Sequence, residues 1–427
     1  MPDDDHASVA GAWASGRVDR RTLVLGAAGA LAAGGLSRPA HAAERVTSIA
    51  DRSGRRFDPN LARRLQQALD GALDDPSVHA PGAILHVRSP RLGRWTGVAG
   101  LGRIAPAEPM RPGDRFRAGS IVKPFVAVAV LQLAERGRLS LDARLPDVLP
   151  VGVTGRIANA SDITVRMLLG HRAGIPDWDD PALDERVARD PAKVWTVSEL
   201  LDLAAAKPPV FAPGTSFSYS NTDYTLLGLV VERITGRSWR REVTRRVIRS
   251  LRLKRTELPA PGHRSVEGPL AHGYREIDGR VVDLNIDPSF AGAAGGYALV
   301  TTAQDLARFI DALFAGRLFR HRATLKHMLA LGPAQGEGGL VGYGLGIERR
   351  ALPGGAELIG HLGGAVYRSY VGRLHPSNVT IALAMNAEDD PTPLLLPAIT
   401  ALTATRRRES STTNRRPAPR GSRPAER

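Results

Sequence analysis

Residues 119–135 read Gly-Ser-Ile-Val-Lys-Pro-Phe-Val-Ala-Val-Ala-Val-Leu-Gln-Leu-Ala-Glu, a serine and a lysine followed by a run of mostly apolar residues. The closely spaced apolar residues predict a helix that ends near Arg136-Gly137-Arg138. Pro124 is tolerated only in the first turn of a helix, so Ser120 is expected at or close to the helix N-terminus. Ser120 and Lys123 are three residues apart, which places them on one face within reach of a single hydrogen bond.

Lys123 is one of only five lysines in a chain with 53 arginines. An arginine cannot be deprotonated in a protein, whereas a lysine can be once it is desolvated. An exposed lysine, with a pKa of ~10.4, is almost fully protonated at pH 7. Burial or a nearby cation lowers that pKa and yields a base able to take the Ser120 proton. Such pairs also occur by chance on solvated helices, but the apolar run that follows Lys123 favours the catalytic interpretation.

On either side of this helix, the sequence predicts strands near both ends of the chain and helices between them. The first part contains a helix at 58–73 and strands at 82–88 and 94–100. The middle contains helices at 164–169, 197–206, 224–235 and 243–251, then a helix capped by Thr302 that runs to Ala315. The last part contains strands at 344–349, 357–363, 368–374 and 379–385, and a closing helix at 392–403. This order predicts a mixed α+β fold, with one sheet interrupted by a helical domain at about 140–290 and a cleft where the two meet.

Two further motifs carry groups suited to serine chemistry. Tyr219-Ser220-Asn221 precedes an apolar helix; a tyrosine beside a lysine can shuttle a proton, and the asparagine offers a donor and an acceptor to a substrate amide. His361-Leu362-Gly363-Gly364 lies on a predicted strand, where glycines permit close backbone approach and an N–H can help to hold an oxyanion. Taken singly, each motif has a simpler explanation: a loop tyrosine with a capping asparagine, and a core histidine followed by a bulge.

Together, the motifs Ser-x-x-Lys, Tyr-x-Asn and His-x-Gly resemble, in order and spacing, the serine β-lactamase and penicillin-binding protein family. The resemblance is strongest to its class C β-lactamase and exported D-alanyl-D-alanine carboxypeptidase group, and it covers roughly residues 60–404. It extends to the phrases Leu168-Leu169-Gly170-His171-Arg172-Ala173-Gly174-Ile175, Pro213-Gly214-Thr215 and Tyr343-Gly344-Leu345-Gly346. It implies a hydrolase domain at 43–404, with an antiparallel five-stranded sheet flanked by helices and an inserted all-helical domain. No metal and no organic cofactor is implied.

The resemblance also implies catalytic roles. Ser120 attacks the substrate carbonyl and is acylated, with Lys123 hydrogen-bonded to it. Tyr219 moves protons to the leaving group and activates the water that releases the acyl group. Asn221 contacts an amide of the substrate.

On the strand, the resemblance places His361 where other members have a lysine. It pairs the N–H of Gly364 with that of the nucleophile in an oxyanion hole, with Gly363 beside it along the substrate-binding edge. Two positions depart from the carboxypeptidase pattern: Leu362 replaces a threonine that meets the substrate carboxylate, and Glu348 stands where an arginine usually holds it. Both changes weaken the recognition of an anion, because a buried unpaired carboxylate is costly.

The resemblance therefore favours an exported serine hydrolase that forms an acyl-enzyme, of the D-alanyl-D-alanine carboxypeptidase or penicillin-binding type. Its expected partners are peptidoglycan peptides or other small molecules, and β-lactams. The alternatives are a β-lactamase-like esterase, a class C-type β-lactamase, and a non-catalytic protein that binds the cell wall.

The two ends of the chain differ in composition from the body. Arg20-Arg21, an apolar run at 22–36 and Ala40-His41-Ala42 predict a twin-arginine-like export signal at 1–42, hence an extracellular, periplasmic or wall-associated protein. Residues 405–427 are rich in Arg and Pro without aromatics, which predicts a disordered tail that either contacts anionic wall polymers or only aids solubility.

The composition of the whole chain excludes several classes of site. The chain has a net charge of +15. It has no cysteine, so disulfides and thiol nucleophiles are excluded. No stretch reaches the ~18 apolar residues of a membrane span, and arginines without interleaved aromatics do not predict nucleic-acid binding.

Overall fold

The computed structural model describes residues 57–413, apart from internal stretches. These are 181–182, 184–185, 187–189, 191–192, 262–267, 278–279, 285–297, 337–338, 353–354 and 365. The predicted export signal at 1–42 and residues 414–427 of the predicted tail lie outside the described residues. No helix of the described part of the chain is long and apolar enough to cross a membrane.

The described part of the chain has a central sheet of nine strands, in the order β3-β2-β1-β13-β12-β11-β10-β9-β8, and all of its pairings are antiparallel. Strands from both ends of the chain meet where β1 pairs with β13. Two small ribbons, β4-β7 and β5-β6, lie outside this sheet. The strands are β1 (Gly82–Ser89), β2 (Gly93–Arg103), β3 (Glu108–Pro109), β4 (Phe116–Arg117), β5 (Tyr274–Ile277), β6 (Arg280–Asp283), β7 (Val300–Thr301), β8 (Gly332–Gly336), β9 (Leu340–Tyr343), β10 (Glu348–Ala351), β11 (Glu357–Gly364), β12 (Arg368–His375) and β13 (Val379–Met385).

Helices cover both faces of the sheet and supply a large helical region between β4 and β5. They are α1 (Pro59–Leu73), α2 (Val122–Glu135), α3 (Leu145–Val148), α4 (Val151–Thr154), α5 (Val165–Leu169), α6 (Val197–Ala205), α7 (Asn221–Thr235), α8 (Trp239–Val243), α9 (Ala303–Phe314), α10 (Arg322–Met328) and α11 (Thr392–Thr413). The helices α1 and α11 pack together against one face of the sheet, and α9 packs against the other. Because both faces are covered, β13 is buried along its whole length.

Local sequence explains where several of these helices begin. The Asp58 carboxylate caps α1 by accepting a hydrogen bond from Leu61 N at 2.7 Å, and Pro59 occupies the first helical position. Thr302 caps α9 in the same way, through Asp305 N at 3.2 Å. Both helices therefore start within a residue of their predicted positions.

The structure corrects the predicted sheet in two respects. Among the described residues the sheet has nine strands rather than five; the five longest ones, β2, β1, β13, β12 and β11, are adjacent, and the four added strands are short. Residues 344–347 of the strand predicted at 344–349 instead form a tight turn between β9 and β10, closed by a hydrogen bond from Gly344 N to Ile347 O at 2.8 Å, and the strand begins only at Glu348. Gly346 adopts a φ of +78°, which favours glycine and ends the extended conformation.

Two predicted helices also differ from the observed ones. The helix expected at 243–251 begins earlier, as α8, and continues into a π-helical turn at Thr244–Ile248. The closing helix α11 runs to Thr413 instead of residue 403, so residues 405–413 of the predicted disordered tail have helical backbone.

Candidate functional site

Ser120 lies in a single 3₁₀ turn, Gly119–Ile121, that leads directly into α2. The turn depends on Gly119, whose φ is +51°. A Cβ atom on Gly119 would stand 2.4 Å from the carbonyl oxygen of Gly364 and 3.1 Å from its nitrogen. This close approach brings the nucleophile turn and the peptide of Gly364 side by side.

Lys123 lies in the first turn of α2 and is fully buried. Its Nζ is 2.9 Å from Ser120 Oγ and donates a hydrogen bond to Asn221 Oδ1 at 2.6 Å. The helix is buried almost all round, so this ammonium has lost most of its hydration. Burial lowers the pKa of Lys123 to about 7, although neighbouring carboxylates, Asp177 foremost, oppose the shift. A large fraction of Lys123 is therefore neutral near pH 7.

Tyr219 lies in the loop before α7 and presents its ring to Lys123, whose Nζ is 4.6 Å from the ring centroid. Its hydroxyl is hydrogen-bonded to the side chain of Ser120. Burial and the negative charge of Glu348 raise the pKa of Tyr219 well above its usual value. At neutral pH this residue is therefore a neutral phenol, which can donate one proton while it accepts another.

Asn221 is the first residue of α7, and its amide is fully engaged by protein groups. Its Nδ2 donates to Asp177 Oδ2 at 3.0 Å and to Asp179 Oδ2 at 3.2 Å, while its Oδ1 accepts from Lys123. Burial and the adjacent Asp179 raise the pKa of Asp177 to about 7. Asn221 thus links the lysine to a carboxylate pair, in addition to any contact it makes with a substrate.

His171 and Asp223 form a second buried layer under the Tyr219 loop. Ser220 N donates to His171 Nδ1 at 3.2 Å, so that ring nitrogen carries no proton. Asp223 Oδ2 lies 3.1 Å from the same nitrogen, and burial raises the pKa of Asp223 well above its usual value. A protonated Asp223 can donate to His171, and the layer then adds no charge next to Lys123.

Gly363 in β11 has to be a glycine because another segment of the chain packs directly against it. A Cβ atom on Gly363 would stand 2.0 Å from the carbonyl oxygen of Ala118, in the segment that enters the nucleophile turn. The sequence predicts that these glycines admit the backbone of a ligand; in the structure Gly363 admits the backbone of Ala118. Leu362, between His361 and this glycine, packs its side chain against the core formed by α1 and α11.

His361 lies on β11, as predicted, and is fully buried. Its Nε2 is 3.2 Å from the hydroxyl of Tyr343, and its ring centroid is 6.3 Å from that of Tyr219. Burial lowers the pKa of His361 to about 4. The histidine is therefore neutral at physiological pH, unlike the lysine that it replaces.

Glu348 begins β10 and has only 2% of its surface exposed. Its Oε2 accepts hydrogen bonds from Arg350 Nε at 2.8 Å and from Leu362 N at 3.0 Å. Its Oε1 lies 3.6 Å from His361 Nε2. Burial alone would raise the pKa of Glu348, but the charge of Arg350 and these hydrogen bonds lower it below its usual value.

The fold thus brings these candidate residues into one site: Ser120, Lys123, Tyr219, Asn221, Glu348, His361, Gly363 and Gly364. Leu362 contributes only its backbone N–H, because its side chain packs against the core beside α1 and α11 instead of facing a substrate. Sequence reasoning missed Asp177 and Asp179, whose acidic run between Pro176 and Leu183 is the only local signal. It also missed Arg350, which could be singled out only by its ion pair with Glu348.

Comparison with known proteins places this arrangement among related folds. Esterase EstB of Burkholderia gladioli is 30% identical over 290 residues, which cover 60% of this chain and 71% of the esterase. Penicillin-binding protein 4 of Amycolatopsis lactamdurans is 31% identical over 249 residues, 54% of this chain and only 58% of that protein. The crystal structure of a D-stereospecific amidohydrolase from Streptomyces sp. aligns with a TM-score of 0.70 and 33% identity, covering 78% of this chain and 97% of the amidohydrolase. These likenesses confirm the predicted fold class.

A sequence profile described as Beta-lactamase matches residues 60–404. The matched region takes in most of the chain and every residue gathered around Ser120. This chain therefore belongs to the β-lactamase family of serine hydrolases.

Proposed function

We propose that this protein hydrolyses small amide or ester substrates by transferring their acyl group to Ser120. The observation that carries the proposal is the fully buried Lys123, with Nζ 2.9 Å from Ser120 Oγ and a pKa of about 7. A serine is activated when a base that is partly deprotonated at working pH lies within hydrogen-bond distance. The known family of the chain supports the same reaction class.

In acylation, neutral Lys123 accepts the hydroxyl proton as Ser120 Oγ bonds to the substrate carbonyl carbon. The N–H groups of Ser120 and Gly364 hold the resulting oxyanion. Tyr219 donates its hydroxyl proton to the leaving amine or alcohol, the bond between that group and the carbonyl carbon breaks, and Lys123 returns the proton taken from Ser120 to Tyr219. In deacylation, a water molecule loses its proton through Tyr219 and Lys123, attacks the ester, and releases the acid and the Ser120 hydroxyl.

The choice between carboxypeptidase activity and simple amide or ester hydrolysis depends on whether the protein carries a positive charge beside β11 to bind a substrate carboxylate. A carboxypeptidase must recognise a free carboxylate, and the penicillin-binding relative supports that alternative. The pKa of about 4 at His361 removes the charge that a lysine would supply there. Relatives named as an esterase and an amidohydrolase support substrates without that carboxylate.

Covalent labelling with a fluorescent fluorophosphonate tests the nucleophile. Labelling and p-nitrophenyl acetate turnover should disappear in Ser120→Ala, whereas the exposed Ser161 provides a matched control in Ser161→Ala. Lys123→Met should slow both reactions by about 10²-fold or more, compared with Lys254→Met at an exposed lysine. Undiminished labelling of Ser120→Ala would contradict the proposal, because another residue would then be the nucleophile. A wild-type protein that is neither labelled nor active would leave the non-catalytic wall-binding alternative.

A product assay tests the substrate class. The wild-type protein should release p-nitrophenol from the ester faster than it releases D-alanine from a peptide ending in D-Ala-D-Ala. The opposite preference would favour the carboxypeptidase alternative, because both substrates need the same serine but only the peptide carries a carboxylate.

Export is a separate part of the proposed function. Arg20-Arg21 and the apolar run after them support a twin-arginine signal. Replacing both arginines by lysine should retain the protein inside the cell, and the N-terminus of secreted protein, measured by mass spectrometry, should follow Ala42. Unimpaired secretion of the double variant would contradict this signal.

A further inference from the structure

Glu348 has a set of partners that normally recognises a bound carboxylate. A guanidinium N–H from Arg350 and a backbone N–H from Leu362 both donate to its Oε2, at 2.8 Å and 3.0 Å. The imidazole of His361 lies 3.6 Å from its other oxygen. Arginine together with a backbone N–H forms a strong site for an anion, and here a side chain of the chain itself occupies that site.

The position of this carboxylate follows from the pairing of the strands. The strand β10 pairs with β11 only over Glu357–Gly360, so no strand of the described part of the chain pairs with the rest of β11 on that edge. Glu348 stands at the end of β10 and caps the first N–H of this edge, at Leu362. Successive residues of a strand point their N–H groups to alternate edges, so Leu362 and Gly364 share this one, about 7 Å apart.

The Glu348 carboxylate is therefore close to the reacting groups. Gly364 lies against the nucleophile turn. The negative charge of Glu348 raises the pKa of Tyr219 and opposes the lowered pKa of Lys123. The ring centroid of His361 is 6.3 Å from that of Tyr219, and its Nε2 is 3.6 Å from Glu348 Oε1. Glu348 therefore lies on the Tyr219 side of the site, where the proposed mechanism places the leaving group.

We propose that Glu348 determines specificity: its carboxylate fills the anion position beside β11 and excludes acyl donors whose leaving group carries a free carboxylate. The proposal rests on the proposed function and names its substrate class, namely amides, esters and thioesters with uncharged leaving groups. It also changes the expected role of Glu348, which blocks an anion instead of binding the substrate.

Two physical effects produce the exclusion. A substrate carboxylate at this position would lie beside the ionised Glu348, and juxtaposed like charges cost several kcal/mol. It would also lack a partner, since Arg350 and the Leu362 N–H are both engaged by Glu348 and neutral His361 supplies no charge. An uncharged leaving group meets neither cost.

The test uses two thioesters with the same acyl group, acetyl-D-alanyl thioglycolamide and acetyl-D-alanyl thioglycolate, which differ only in the leaving-group charge. Wild-type kcat/KM should favour the amide by about tenfold or more, since 1.4 kcal/mol already gives tenfold. Glu348→Gln should reduce that preference by at least about tenfold. Glu357→Gln makes the same change on β11, where the carboxylate pairs with Arg349 at 3.8 Å, and should leave the preference unchanged.

Glu348→Gln should raise kcat/KM for the thioglycolate. The double variant Glu348→Gln, Arg350→Gln should lose this increase, because the guanidinium that would bind the substrate carboxylate is gone. A preference that stays the same in Glu348→Gln would overturn the proposal, since a purely structural role would slow both thioesters together. If the variants do not fold, the wild-type ratio of kcat/KM for the two thioesters is the test. Equal rates, or faster turnover of the thioglycolate, would overturn the proposal. Failure to hydrolyse either thioester would instead refute the proposed function, and this inference with it.

Discussion

The pH dependence of turnover is the most direct test of Lys123 as the base. An ordinary lysine with a pKa of 10.5 is neutral in roughly one molecule in 3000 at pH 7, whereas the value of about 7 makes roughly half of them neutral. The deprotonated form is the active one, so kcat/KM should rise with pH through about 7 and level off above 8. Asp177 also has a pKa of about 7, so the observed midpoint belongs to the coupled pair.

Asp177→Asn separates the two groups. The Asp177 carboxylate stabilises the protonated lysine through space, with the Asn221 amide between them. At roughly 7 Å and an effective dielectric of 20, two unit charges interact by about 2 kcal/mol. Because Asp177 is itself only partly ionised near pH 7, we expect the midpoint to fall by about 1 pH unit.

Initial rates of p-nitrophenyl acetate hydrolysis from pH 5 to 9, corrected for the uncatalysed reaction, measure this shift. Asp142→Asn is the matched control, because that carboxylate is exposed and pairs with Arg166 at 2.8 Å. A midpoint that stays fixed or moves to higher pH in Asp177→Asn would refute the electrostatic reasoning. A profile that becomes flat would identify Asp177, rather than Lys123, as the titrating group.

Four further substitutions have expected outcomes. Tyr219→Phe keeps the ring and removes the hydroxyl that bonds the nucleophile, so kcat should fall by about 10²- to 10⁴-fold in single-turnover measurements with an unchanged melting temperature. Gly363→Ala forces a Cβ to 2.0 Å from the Ala118 carbonyl, and should lower both the melting temperature and the fluorophosphonate labelling. Gly71→Ala in α1 meets nothing within 4 Å, and should instead stabilise the protein by about 0.5–1 kcal/mol in urea unfolding. Tyr370→Phe removes a buried hydroxyl without a hydrogen-bond partner among the described residues, so its urea midpoint should equal or exceed that of the wild type.

Local sequence patterns were sufficient to predict most of the helices and the long strands. The Asp58 and Thr302 caps and the strands β11, β12 and β13, which lie between turn-rich segments, could be predicted from the local sequence. Their predicted bounds agree with the structure within a residue or two. The short strands at the edges of the sheet could not be predicted in this way. They contain two to five residues each and depend on pairing with distant strands.

The residues of the candidate site also differ in how well the local sequence could predict them. The Ser120–Lys123 pair could be recognised because three residues of one helix fix the distance between the side chains. The glycines of β11 were recognised, but for a different reason: the structure shows that Gly363 accommodates Ala118.

By itself, the sequence determined the order of strands and helices, the three motifs and the presence of a lysine that could be neutral. Only the tertiary structure decided the charges around that lysine, because Asp177, His361 and Glu348 come from separate parts of the chain and each takes its protonation state from burial and from its neighbours. Glu348 is the clearest case. As a residue in the sequence it replaces a cation, whereas in the fold it is a carboxylate already bound by Arg350 and Leu362. Electrostatic interactions depend on distance and on exclusion of water, and neither is fixed before distant segments of the chain pack together.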